Sequence, residues 1–149
     1  MKIGVISDTH GSLPDKVKDR LESCDFLIHA GDVGSQECYR AIIDLHVPSY
    51  LVKGNCDRGN YATFMPENLS FHIDGIPCYL IHDQNKLPIL LPEETKLVIF
   101  GHTHHYTLFE RQGRTYLNPG SISDGRGDAK SFVILETKAG GFQAKRFTL

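Results

Sequence analysis

Ile3-Gly4-Val5-Ile6-Ser7, closing on Asp8-Thr9-His10-Gly11, is the run from which the fold is read. A short β-branched stretch stopped by Asp, Thr and Gly reads as a buried strand. The period then changes. Leu13, Val17 and Leu21 stand four apart with Lys16, Lys18, Asp19 and Arg20 between them. That is an amphipathic helix which tolerates Pro14 in its first turn and which Ser12 is placed to cap. The same alternation repeats. Asp25 to Ala30 is a second strand, ending at Gly31-Asp32-Val33-Gly34; a helix starting near Ser35 runs through Tyr39, Ile42, Ile43 and Leu45; Pro48 to Val52 is a third strand, ending at Gly54-Asn55-Cys56-Asp57. Strand, helix, strand, helix, strand predicts a parallel sheet with right-handed crossovers, covered by its helices.

Further on, the strands come in pairs. Leu69 to Ile73 and Pro77 to Ile81 flank Asp74-Gly75-Ile76 as a hairpin, and the second run leads to His82. Asp83 to Thr95 is irregular, with Pro88 and Pro92 framing Ile89-Leu90-Leu91. Leu97 to Phe100 is a strand that leads into Gly101-His102-Thr103-His104. Tyr106 to Glu110 and Thr115 to Leu117 pair across Arg111-Gln112-Gly113-Arg114, and Ser131 to Glu136 meets Phe142 to Thr148 around Gly140-Gly141. These late antiparallel strands predict a second sheet packed on the first. No linker, repeat or low-complexity tract interrupts residues 1–149, so one α/β domain is expected.

Composition narrows the function. The 16 Lys+Arg against 18 Asp+Glu give a net charge of -2, which argues against a partner held mainly through phosphate charge, such as bulk nucleic acid. Cys24, Cys38, Cys56 and Cys78 lie far apart with no Cys-x-x-Cys, so neither a zinc ribbon nor a disulfide framework is indicated. The start of the chain lacks the pattern of a secretory leader, and no run approaches the roughly 18 apolar residues of a membrane span. A cytoplasmic protein with free thiols and no membrane partner is the expectation. A homo-oligomer is compatible with all of this.

Five of the strands end in metal-ligating side chains: Asp8 and His10, then Asp32, then Asn55, then His82, then His102 and His104. Each has a plainer reading alone. Asp32 between glycines and Asn55 after Gly54 suit turns, Asp8 suits a helix start, and His82 suits a core. The repeated placement at strand ends is what those readings leave unexplained, because sites in such sheets form outside the strands' carboxyl ends. On an extended backbone His102 and His104 would point the same way. Seven mixed oxygen and nitrogen donors exceed the needs of one ion and suit two ions sharing a carboxylate, an arrangement that clamps an in-line phosphoryl displacement and makes hydroxide available near neutral pH. There is no G-x-S-x-G elbow, H-E-x-x-H or P-loop.

Asp8-x-His10, Gly31-Asp32, Gly54-Asn55-x-Asp57, His82 and Gly101-His102-x-His104, in this order, resemble the calcineurin-like metallophosphoesterases. Asn118-Pro119-Gly120-Ser121 is similar to their small bacterial and archaeal phosphodiesterase branch. The resemblance implies two mixed sheets packed as a sandwich flanked by helices, in four layers. It implies a dinuclear phosphodiesterase in which a metal-bridging hydroxide attacks phosphorus. One ion would be held by Asp8, His10, Asp32 and His104, the other by Asp32, Asn55, His82 and His102, with Asp32 bridging. Mn²⁺ is the usual ion, with Fe, Co, Ni or Zn as alternatives. Asn55, Cys56 and Asp57 would be the catalytic residues and a small phosphoester the substrate.

Two departures matter. Cys56 stands where many members carry a histidine donor, and a thiol is a weak donor, so substrates with good leaving groups, such as aryl phosphodiesters, are expected. Asp57 would orient water or a neighbouring side chain, or act as a turn residue. His82-Asp83-Gln84 replaces a His-Gly-His, and the segment after it is short and Pro-broken, so the pocket wall is expected to differ. Arg58 is near enough in sequence to meet a phosphate. The rival expectation is a non-catalytic binding scaffold resembling the retromer subunit of this fold, and a nuclease is disfavoured by charge.

Overall fold

β1 (Lys2–Ile6), β2 (Phe26–His29) and β3 (Ser49–Leu51) run parallel, with α1 (Asp15–Leu21) and α2 (Gln36–Ile43) in the crossovers, in a computed structural model that describes all of residues 1–149. β4 (Asn68–Ile73), β5 (Ile76–Ile81), β6 (Leu97–Ile99), β7 (Thr107–Arg111) and β8 (Arg114–Asn118) form a second sheet in the order β4-β5-β6-β8-β7. β6 is parallel to both its neighbours, and the two hairpins are antiparallel. The hairpins close through Asp74-Gly75 and Gln112-Gly113. All four residues have positive φ, the two-residue turn whose twist matches its strands.

One expectation is corrected here. β9 (Ser131–Lys138) and β10 (Gly141–Thr148) do not join the second sheet. They extend the first, in the order β10-β9-β1-β2-β3, with β9 antiparallel to β1 and Val133 opposite Val5. The cause is legible in the apolar run Phe132-Val133-Ile134-Leu135. A strand apolar on both faces belongs inside a sheet covered on both sides. Val133 and Leu135 enter the core between the sheets, while Phe132 and Ile134 lie under the helices.

Two apolar layers hold the architecture. Ile3, Val5, Ile28 and Val52 face Phe71, Leu80, Ile99 and Leu117 across the sandwich. On the outer face of the first sheet, Ile6 and Leu27 meet Val17 and Leu21 of α1 and Ile42 of α2. Alternate residues of β1 therefore serve alternate layers, as strand geometry requires. The outer face of the second sheet carries no long helix; Leu87 and Leu91 of the Asp83–Thr95 segment pack there on Val98 and Phe100.

Ser35 caps α2, its hydroxyl accepting from the Cys38 amide at 3.1 Å. Ser12 does not cap α1. Pro14 occupies that position with an extended backbone and no side-chain cap, so Pro14 precedes the first turn instead of lying in it. The carboxyl ends of β1, β2, β3, β5 and β6 open onto one crevice, and no helix is long and apolar enough to cross a membrane.

Candidate metal centre

Of the seven donors singled out above, Asp8, His10, Asp32, His102 and His104 lie in the left-handed region, with φ between 46° and 70°. Few non-glycine residues adopt it, and Asp and His are among those that do. This overturns the extended geometry expected for His102 and His104. The Thr103 amide donates to the Gly101 carbonyl at 2.8 Å, and the chain bends so that the two imidazoles separate. His104 Nε2 goes to Asp8 Oδ1, at 3.3 Å. His102 Nδ1 goes to His82 Nε2 and Asn55 Oδ1, at 3.3 and 3.1 Å. Strain concentrated at the strand ends is the usual mark of side chains held for a ligand.

Each carboxylate divides its oxygens. Asp8 Oδ2 accepts from the Ser7 hydroxyl at 2.6 Å and from the His102 amide at 3.1 Å. Its Oδ1 is buried without a hydrogen-bond partner, and the Nε2 atoms of His104, His10 and His82 face it at 3.3, 3.6 and 3.9 Å. Asp32 Oδ1 accepts from the Cys56 amide at 2.8 Å, while Oδ2 lies 3.6 Å from His10 Nε2 and 3.3 Å from His82 Nε2. One oxygen anchors each residue and the other is turned inward. A buried, unpartnered carboxylate oxygen ringed by imidazole nitrogens fits a divalent cation.

The imidazoles are oriented from behind. His82 Nδ1 donates to the Ala30 carbonyl at 2.7 Å and His104 Nδ1 to the Asp124 carbonyl at 2.6 Å, which leaves both Nε2 atoms free to ligate. Two clusters result. Asp8, His10 and His104 form one, in which the His10 and His104 Nε2 atoms lie 3.3 Å apart; Asn55, His82 and His102 form the other, and Asp32 Oδ2 lies between them. Gly31 allows the close approach, since a Cβ there would lie 2.6 Å from His82 Nδ1.

Asp57 is engaged by the loops around it. Its carboxylate is buried and accepts from the amides of Asp32 (2.9 Å), Gly34 (3.0 Å) and Gly54 (2.8 Å) and from the Tyr61 hydroxyl (2.8 Å). It ties the loop after β2 to the loop after β3, contacts that position both loops and go beyond a simple turn. Cys56 is exposed, with its sulfur within 4.8 Å of ligand atoms of His10 and Asp32, and Arg58 lines the adjoining cavity.

Several residues support the centre from positions far along the chain. Ser121 and Ser123 both donate to the Asp8 carbonyl, at 2.8 and 2.9 Å, and Asn118 donates to the Gly101 carbonyl at 3.0 Å. His29 is fully buried between Thr9 and the Gly31 amide, and burial pushes its pKa down to about 4, so it stays neutral.

The family-wide model of the calcineurin-like phosphoesterase superfamily domain matches residues 1–140. The chain belongs to that superfamily. A probable metallophosphoesterase of Methanothermobacter thermautotrophicus is 33% identical over 148 residues, covering 91% of this chain and 85% of that protein. A phosphodiesterase of Methanocaldococcus jannaschii is 26% identical, covering 93% of this chain and 94% of that one. In the solved structures, Vps29 of Entamoeba histolytica in complex with Zn²⁺ superposes with a TM-score of 0.76 at 22% identity, covering 99% of each chain. Metallophosphoesterases bind divalent metals, and Asp8, His10 and His104, with Asp8, Asp32 and His82, are candidate ligand groups in this chain.

The charges at this metallophosphoesterase centre make metal uptake pH-dependent. The Asp8 carboxylate facing it raises the His10 pKa; burial opposes a rise at His82, but Asp32 and Asp8 outweigh it. A raised histidine stabilises the metal-free fold below its unfolded value near 6.5, and that contribution is lost as pH climbs through the folded pKa. Metal must displace those protons. Between pH 6 and 8 the rise in Tm caused by Mn²⁺ should therefore grow, with apparent affinity gaining up to about tenfold per pH unit for each histidine still protonated. A thermal-shift series with and without chelator measures it, and a Tm increment independent of pH would contradict it.

Proposed function

We propose that the chain is a dinuclear, Mn²⁺-activated phosphodiesterase of small phosphoesters in the cytoplasm. The observation that carries this reading is the division of oxygens on Asp8 and Asp32, with Asp32 Oδ2 within 3.6 Å of His10 and 3.3 Å of His82. The similarity to a Methanocaldococcus jannaschii phosphodiesterase supports the ester class. When bound, two cations supply Lewis acidity toward the phosphate oxygens and hydroxide near neutral pH. The chain supplies the rest. Asp8, His10, Asp32 and His104 hold one cation, and Asp32, Asn55, His82 and His102 the other. The exposed Asn55 amide is available to donate to a phosphate oxygen as charge develops there. In the metal-free protein burial and Asp32 push the Cys56 thiol up, and a neutral thiol is a weak donor to a leaving group.

The reading predicts hydrolysis of bis(p-nitrophenyl) phosphate with added Mn²⁺, abolished by chelation and by His104→Ala. Cys56→His should extend turnover to esters with poorer leaving groups. A second reading, a binding scaffold, has one observation in its favour: Phe64, Ile89 and Leu90 are 95%, 101% and 87% exposed. Metal binding without turnover on a broad phosphoester panel decides for the scaffold.

A further inference from the structure

The crevice continues past Asn55, His82 and His102 into an open cavity of about 730 Å³, within the range of small-molecule sites. Three cations on its wall come from separate segments. Lys53 follows β3, Arg58 follows the Asn55 loop, and Lys86 ends the 3₁₀ turn Gln84–Lys86. None of them lies within 4.0 Å of a carboxylate, although Lys18 and Arg146 elsewhere in the chain do.

The acids on the same wall are largely committed. Asp57 accepts from backbone amides, and Asp83 accepts from the Asn85 amide and lies 4.0 Å from His102. With Glu67 they set three negative charges against the three positive ones, and Glu67 is the one not directed to an amide or an imidazole. The apolar lining is Ile81 alone, and the rings present are the imidazoles of His82 and His102 in the ligand cluster, with no Phe, Tyr or Trp. Such a wall offers little apolar surface for an aryl, acyl or nucleobase group to bury against, whereas a guanidinium and two ammonium groups on one cavity wall suit a dianionic phosphate.

We propose that the substrate is a phosphodiester on a small hydrophilic scaffold bearing a second phosphate, which Lys53, Arg58 and Lys86 receive while the ester phosphate lies at the ligand cluster. This rests on the phosphodiesterase reading above and adds a substrate class to it.

Two esters that differ only in that group test it: ethyl p-nitrophenyl phosphate and phosphoethyl p-nitrophenyl phosphate, with the Mn²⁺-loaded protein. In both, the oxygen of water bonds to phosphorus, the bond to the aryl oxygen breaks and p-nitrophenolate leaves, the water protons passing to the phosphate product and to solvent. The phosphorylated ester should show a KM lower by about tenfold or more, a gap that narrows as salt screens it. The triple variant Lys53→Gln, Arg58→Gln, Lys86→Gln should close the gap. A calorimetric comparison of ethyl phosphate with ethylene glycol bisphosphate reads the same preference without turnover, and an unchanged denaturation midpoint shows that the variant is folded. Equal Kd values in the wild type, or a preference that survives in the triple variant, overturns the proposal. Tighter bisphosphate binding with neither ester hydrolysed keeps this pocket and instead removes the phosphodiesterase reading.

Discussion

Asp32→Asn is expected to lower phosphodiesterase turnover by about a thousandfold or more and to abolish most of the thermal stabilisation caused by Mn²⁺, while leaving the metal-free protein close to wild-type stability. The reasoning starts from its two oxygens. Oδ1 is fixed by the Cys56 amide, and Oδ2 faces both ligand clusters. Asparagine can still accept from that amide through its carbonyl oxygen, so the loop keeps its anchor. What disappears is the inward negative oxygen. Its loss weakens both ions together, and a bound divalent metal stabilises the transition state by several kcal/mol, which is on the order of a thousandfold in rate. At a metal concentration about 100 times Kd each ion adds about 2.7 kcal/mol to folding, and the variant forfeits most of this. Turnover and thermal shift, with and without chelator, read both parts. Retention of the full Mn²⁺ shift would contradict a shared role for Asp32.

Asp57→Ala should show the opposite profile, with a large loss of stability in the metal-free state itself. Two buried amides, the more exposed Gly34 amide and a tyrosine hydroxyl converge on that carboxylate. Leaving a buried donor unsatisfied costs roughly 1–3 kcal/mol, so the two buried amides imply about 2–6 kcal/mol, comparable with the whole stability of many small domains. Asp57→Asn retains one acceptor oxygen but turns an amide toward donors, and it should lose about half as much. Urea denaturation of the chelated proteins measures this. Were Asp57 a catalytic group, Asp57→Asn would lower turnover with the denaturation midpoint unchanged.

These two aspartates also show what the sequence makes legible. Asp32, between Gly31 and Gly34 at the end of an apolar run, announces itself by position, as do His82 after β5 and His102 and His104 after β6. Strand ends are local features, and a parallel sheet brings them to one edge whatever the loops do. Asp57 is equally local in the sequence, yet two of its four partners are amides 23 and 25 residues away, on another loop. Short-range pattern carries no information about such a clamp. The bend at Thr103 escaped for a related reason. An apolar strand followed by His-x-His is compatible with an extended continuation, and the left-handed residues that separate the rings are imposed by the His102 amide reaching Asp8 and by Asn118 holding Gly101. The placement of β9 was misassigned because antiparallel order along the chain says nothing about which sheet edge is free; the two-faced apolar run did say so. Ser121 and Ser123 support Asp8 from more than a hundred positions away, beyond any periodicity.

The separation of His102 from His104 is the feature on which the dinuclear account depends. Calorimetric titration of chelated protein with Mn²⁺ tests it most directly, run on the wild type, His104→Ala and His102→Ala. Two ions per chain are expected for the wild type, with each variant losing or weakening a different one. A single ion in the wild type, or the same ion lost in both variants, would contradict it.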